Sequence, residues 1–330
     1  MPGGEPMRKY LFWLCVLCAA LLLARPAPAM EAVREALRLC TETIVPSLFP
    51  FLVCSALLTS LAPVEPLRKW LSPITRPLFA LGGEAAVVLA LGFTGGYPVG
   101  VRTASELYRQ GQLRRGEVLR LLAFCNNSGP GFLLGVVGIG VFGSASAGLM
   151  LYGIHIAAAL LVGFLFRFYG AKDGGTPGHS AAPRAAAKPL PALFTEAVTS
   201  SFFAVLNICA FVLFFMIVLR LASITGALHL LAAALEGLLS LFGMTEYLAT
   251  ALLAGILELS TGASCMQGVA LTPGTAALAA FLLGWGGLSV HCQTLGVIAD
   301  TDIKCARHLA GRALCGIFAA VFTYVGALLL

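Results

Sequence analysis

The chain has 330 residues, 59% of them hydrophobic and only 11% charged, with a mean hydropathy of +0.92 and a formal net charge of +6. Soluble domains carry about 25% charged residues, so this proportion leaves too little polar surface to cover a globule in water and excludes a soluble protein. Apolar segments of roughly 20 residues, the length that crosses a bilayer, recur along the chain; the expected fold is an all-α polytopic membrane protein.

In chain order, "MRKYLFWLCVLCAALLLARPAPAM" has basic residues, an apolar core at 11–24 and an "APA" ending. It fits both a secretory signal peptide and a signal anchor; we read residues 1–42 as a retained anchor helix followed by an external amphipathic segment. The CxxC of Cys15 and Cys18 lies inside this helix, where cysteine acts as a small apolar residue, and the ten cysteines are scattered. Neither a metal site nor a disulfide framework is expected.

The first repeat is expected over 43–169: a span (43–62), a linker helix (64–80), a re-entrant piece (84–110), an interrupted helix (121–142) and a span (146–168). A linker rich in Gly, Ala and Pro follows at 170–190. The second repeat, 191–330, has the same order at 193–219, 224–243, 246–270, 275–298 and 309–330. The apolar cores beginning at Glu84 and Glu246 run only about nine and ten residues before stopping, too short to span. A non-helical tip at membrane depth is tolerated only under protein or beside a watery cavity.

Lys and Arg in short loops mark the cytoplasmic side. With Arg8 and Lys9 inside and each span crossing once, Arg68, Lys69, Arg76, Arg102, Arg109, Arg114, Arg115, Arg120, Arg167, Lys172, Arg184, Lys188, Lys304, Arg307 and Arg312 also fall inside: 17 of the 21 basic residues. Arg25, Arg34, Arg38 and Arg220 fall outside. Each half crosses an odd number of times, so the two repeats are inverted.

Inverted repeats with broken helices are the mark of secondary transporters, whose site lies at mid-membrane between the repeats. The breaks "CNNSGPG" (125–131) and "GWGGLSVHCQ" (284–293), faced by the tips "TGGYPVG" and "ELSTGAS", would present backbone polar groups to a central cavity. Helix N-termini at such breaks attract anions, and amides and hydroxyls can hydrogen-bond a polar solute. The candidate substrate-binding residues are Thr94 and Tyr97 at the first tip, Asn126, Asn127 and Ser128 in the first break, Glu258, Ser260 and Thr261 at the second tip, and Ser289, His291 and Gln293 in the second break. Glu258 stands out because an ionisable group at membrane depth is costly; a carboxylate capping the broken helix is the competing reading. Local capping competes likewise for Asn126, Asn127 and Ser128. His155, within a span, is read as a packing or interhelical hydrogen-bonding residue, and Asp300 and Asp302 as a polar cap at the cytoplasmic end.

Two other signals are set aside. Gly138–Gly143 matches GxGxxG, but a dinucleotide fold needs a preceding strand and an acid about 20 residues on; small residues packing membrane helices account for the glycines. The arginines at 102–120 are read as topology markers beside anionic lipid, not as a nucleic-acid surface.

"GGYPVGVRTASELYRQGQL", "LLAFCNNSGPGFLLGVVG", "GILELSTG" and "GWGGLSVHCQTLGVIADTDI" resemble, in family order, the YlbJ family of sporulation integral membrane proteins. That family belongs to the nucleoside-recognition (gate domain) group and is similar in layout to concentrative nucleoside transporters. The resemblance runs from about residue 40 to near the end; one departure is "CNNSGPG", where a motif of the "NTASP" kind is expected. It implies a multi-pass protein of the plasma or outer forespore membrane that exports dipicolinic acid from the mother cell, and a trimer.

The expected function is therefore transport of a small anionic solute, dipicolinate first, by alternating access, with the lipid bilayer and further copies of the chain as partners. Nucleoside transport and a non-transporting scaffold or assembly factor for the spore envelope are the alternatives. An intramembrane enzyme would need a catalytic set; Ser289 and His291 are only two apart, and no HExxH is present. No cofactor is expected, and a coupling proton or sodium ion stays open.

Overall fold

The computed structural model describes residues 4–61, 64–169, 189–240, 243 and 245–329, with no strand among them. The expected linker at 170–190, with Lys172, Arg184 and Lys188, lies outside the described residues except for its last two positions. Among the described residues, five helices are long and apolar enough to cross a bilayer: Pro26–Leu58, Ala145–Phe168, Leu190–Ile224, Pro273–Ile298 and Ala306–Leu329.

Helix α1 (Gly4–Ala24) is followed, after Arg25, by α2 (Pro26–Leu39), where proline in the first turn costs no hydrogen bond. A π-helical turn, Cys40–Ile44, carries α2 into α3 (Val45–Leu61). The segment expected to lie outside the membrane before residue 43 is thus continuous with the span. Ala29, Ala32 and Ala36 bury one stripe of α2, at helical spacing, and α2 packs on α9 (Leu190–Ile224). Arg220 of α9 closes this contact with both nitrogen-to-oxygen distances to Glu35 at 2.9 Å.

The rest of the first repeat is α4 (Val64–Phe79), α5 (Gly83–Gly95), α6 (Val99–Arg109), α7 (Arg115–Phe124), a π-helical stretch Gly131–Val141, and α8 (Ala145–Leu165). The chain bends by 94° between α4 and α5. α5 and α6 then fold back on each other as a hairpin about Gly96–Pro98. In the second repeat, α9 and α10 (Ala227–Leu239) lead to a hairpin of α11 (Glu246–Leu257) and α12 (Leu259–Ser264), then α13 (Pro273–Trp285), α14 (Gly287–Ile298) and α15 (Ala306–Leu329). The element order of the first half recurs: linker helix, hairpin, broken helix, span.

Glycine sets how closely these elements meet. Gly138 and Gly148 bring the π-helical stretch onto α8, so that a Cβ at Gly138 would stand 2.8 Å from the Gly148 Cα. This is the packing use of the GxGxxG glycines. Gly284 of α13 meets Gly316 of α15 more closely still, at 2.4 Å for an added Cβ.

At the end of the first hairpin, Arg109 donates to both carboxylate oxygens of Asp300 (2.6 and 3.1 Å), while Tyr108 and Arg115 donate to Asp302 at 2.6 and 2.9 Å. The two aspartates, expected only as a polar cap, therefore tie the loop after α14 to the hairpin. The Arg109 guanidinium holds the Asp300 carboxyl below the usual carboxylate range. The Tyr108 hydroxyl, then Arg115, does the same for Asp302.

Candidate functional site

Each hairpin tip is seated on one helix break. Gly96, at φ 72°, lies against the first break: a Cβ there would come 2.8 Å from the Gly129 nitrogen. The second tip meets the second break where a Cβ on Gly287, at φ 84°, would come 2.9 Å from the Leu259 nitrogen. Positive φ and backbone-to-backbone contact both demand glycine at these positions.

Between the four lies one cavity, lined by Thr94 and Tyr97, Gly129–Gly131, Glu258 and Ser260, and Ser289 and Gln293, with Phe51, Leu52, Phe132 and Ile208 as its apolar wall. About 60 Å³ is open to the centres of water molecules, room for a handful of them at roughly 10–15 Å³ each. Six of the eleven expected residues therefore line the cavity: Thr94, Tyr97, Glu258, Ser260, Ser289 and Gln293. The other five, Asn126, Asn127, Ser128, Thr261 and His291, stand behind its wall.

Glu258 separates α11 from α12 and caps α12. Its carboxylate accepts from the Ser260 N–H (3.1 Å), the Thr261 N–H (2.7 Å) and the Thr261 hydroxyl (2.8 Å). The side chain is 3% exposed, so these bonds replace the water it gave up. It both shapes the tip and faces the cavity. Tyr247 at the start of α11 donates to the Cys265 carbonyl just past α12, closing the hairpin's base.

The first break is held by its own amides. Asn127 Nδ2 donates to the Phe124 carbonyl (2.7 Å), satisfying the end of α7, and Asn126 Nδ2 donates to Thr294 Oγ1 of α14 (2.9 Å). The Ser128 N–H donates to His155 Nε2 at 3.3 Å, which gives His155 the interhelical role expected of it. Ser289 faces the cavity, whereas His291 turns to α15, where its Nδ1 lies 3.0 Å from His308 Nε2. His308 Nδ1 faces the Leu122 carbonyl at 3.0 Å and so carries the proton. In the neutral ring, Nε2 then accepts from His291 Nδ1–H. Ser289 and His291 do not form a nucleophile–base pair.

Four polar residues of this cluster were not among the expected ones: Thr294 and His308 above, and Asn207 and Arg312. Asn207 of α9 donates to Gln293 Oε1 at 3.3 Å. Arg312 of α15, counted from the sequence as a cytoplasmic marker, is completely buried. It donates to Asn127 Oδ1 (2.9 Å), the Tyr97 hydroxyl (2.7 Å) and the Leu283 carbonyl (3.1 Å), joining the first tip to both breaks. The signal was present: Arg312 falls inside the span drawn at 309–330, and a charge within a span turns to the bundle interior.

Comparison with known proteins agrees with this architecture. The family described as "Gate: Nucleoside recognition" matches residues 41–172. The sporulation integral membrane protein YlbJ of Bacillus subtilis (strain 168) is 32% identical, the alignment covering 92% of this chain and 78% of that protein. Two solved structures of CNTnw share the fold. One in an intermediate state gives a TM-score of 0.63 at 13% identity, covering 98% of this chain and 87% of that one. One in an outward-facing state gives 0.58 at 15% identity, covering 99% and 87%.

Proposed function

This chain belongs to the family of the sporulation integral membrane protein YlbJ, and from that premise we propose that it carries a small anionic solute, dipicolinate, across a membrane during spore formation. The observation that carries the reading is the meeting of both hairpin tips and both helix breaks on one cavity, the arrangement in which secondary transporters hold their solute.

The chemistry of the lining suits a planar dicarboxylate. The Gly131–Val141 stretch and α14 both begin at the cavity, through Gly131 and Ser289. Their N-terminal ends direct N–H groups and positive dipole ends at a bound carboxylate. The Ser260 and Ser289 hydroxyls and the Gln293 amide add donors, and Phe51 and Phe132 offer apolar faces to a ring. A solute of this size enters when the hairpin tips separate from the breaks, and alternating exposure of the cavity to the two sides completes the cycle. Glu258 holds the second tip in shape and is the group placed to exchange a proton with the cavity.

Uptake of labelled dipicolinate into proteoliposomes, run beside uridine and beside a Glu258→Gln variant, tests this. Dipicolinate uptake that falls in the variant supports solute and site together. Uridine uptake alone moves the protein to nucleoside transport, and uptake of neither by folded protein favours the scaffold reading.

A further inference from the structure

Among the described residues, Arg312 has no carboxylate against it; the acceptors around it are a tyrosine hydroxyl, an asparagine carbonyl and a backbone carbonyl, and its Nε meets no acceptor. A guanidinium keeps its charge, and stripped of water it costs several kcal/mol unless other groups compensate it. What makes it tolerable is the pair of half-helices that end beside it. Leu283 lies in the last turn of α13, and Asn127, whose amide also holds the Phe124 carbonyl, lies just beyond the end of α7. Each such end carries roughly half a negative charge.

At a helix break, the negative end of one half and the positive end of the next lie close and offset each other. Here Arg312 neutralises the negative ends from the side away from the solute, so that the positive ends of the Gly131–Val141 stretch and α14 meet only one acidic group at the cavity, Glu258, whose carboxylate is already bound by the first N–H groups of α12. Tyr97 separates the two: its hydroxyl bonds to Arg312 while the residue lines the cavity. We propose that Arg312 is the specificity residue that makes this cavity select anions over neutral solutes of the same shape, without touching the solute itself. The inference rests on the transport reading above and names how its site discriminates.

The test compares dipicolinate with pyridine-2,6-dicarboxamide, a neutral molecule of nearly the same outline. Uptake into proteoliposomes and thermal stabilisation of the purified protein are measured for wild type, Arg312→Lys and Arg312→Gln. Wild type favours the dianion; Arg312→Lys, which keeps the charge and loses the planar fork, slows uptake but keeps the ratio. Arg312→Gln lowers the dianion-to-diamide ratio by roughly tenfold or more. An unchanged ratio in Arg312→Gln overturns the inference, and so does a ratio lost in Arg312→Lys, which would make the fork and not the charge decisive; Arg312→Met, which also removes the charge, takes the place of the glutamine variant if that does not fold. Wild type that binds the dianion selectively but does not move it overturns the transport reading only, because the stabilisation ratio still judges Arg312. Wild type that shows no preference for the dianion in either measurement overturns both.

Discussion

Gly92 and Gly100 face each other across the first hairpin with the Cys125 carbonyl between them: a Cβ on either would stand 2.1 Å from that oxygen. The hairpin can lie on the first helix break only because both positions lack a side chain. Gly92→Ala or Gly100→Ala is expected to destabilise the protein by about 1–3 kcal/mol, the usual cost of overpacking. Gly153→Ala, where nothing lies within 4 Å, serves as the control. Thermal unfolding in detergent reads the difference, and equal melting temperatures for Gly92→Ala and Gly153→Ala would contradict the packing account.

Glu258 and Thr261 should separate shape from charge at the second tip. Thr261→Val removes the one bond made by the threonine hydroxyl and keeps both backbone donors on the carboxylate. Its expected cost is about 1 kcal/mol, with transport largely kept. Glu258→Gln exchanges one acceptor oxygen for an NH₂ that faces N–H donors, so the tip loses about 1.5–3 kcal/mol and transport falls steeply. Proteoliposome uptake normalised to folded protein checks this, and a Thr261→Val variant as inactive as Glu258→Gln would count against it.

Gly286 offers a coupling test. It sits at φ 89°, and an added Cβ would stand 2.7 Å from the Tyr97 hydroxyl oxygen. Gly286→Ala therefore pays the left-handed backbone cost of roughly 1–2 kcal/mol and a clash besides. Tyr97→Phe removes the oxygen that clashes but also an acceptor of Arg312. The double variant should be less destabilised than the sum of the singles; strict additivity in melting temperature would show that the clash is not felt.

The aspartates at the end of the first hairpin give a pH dependence. Their carboxyls titrate lower in the folded state, Asp300 through its bonds from Arg109 and Asp302 through Tyr108 and then Arg115. Groups with depressed values contribute stability above their unfolded value of about 3.9 and lose it as pH falls through the folded values. Wild type should therefore lose melting temperature below about pH 4, more gently at high salt because these pairs are exposed. The double variant Asp300→Asn, Asp302→Asn should lack that part of the acid sensitivity, and identical slopes in the two proteins would remove these contacts from the account.

Local chemistry alone set much of this architecture. A run of about 20 apolar residues can satisfy its backbone in lipid only as a helix, so the spans were legible from length and hydropathy. "GGYP", "CNNSGPG" and "GWGGL" could not continue a helix, so the interruptions were legible too, and the repeated order of elements exposed the two halves. Tertiary structure decided the pairings: Gly96 on Gly129, Gly287 on Leu259, Asp300 on Arg109. These depend on contacts between residues far apart in the chain, which no local pattern encodes. It also decided which way each polar side chain turns. Ser289 and His291 are neighbours in sequence, yet one lines the cavity and the other bonds to α15. Arg312 shows both sides: its place inside the span drawn at 309–330 pointed it to the bundle interior, and only the tertiary structure set it against the ends of two half-helices, through Asn127 and Leu283.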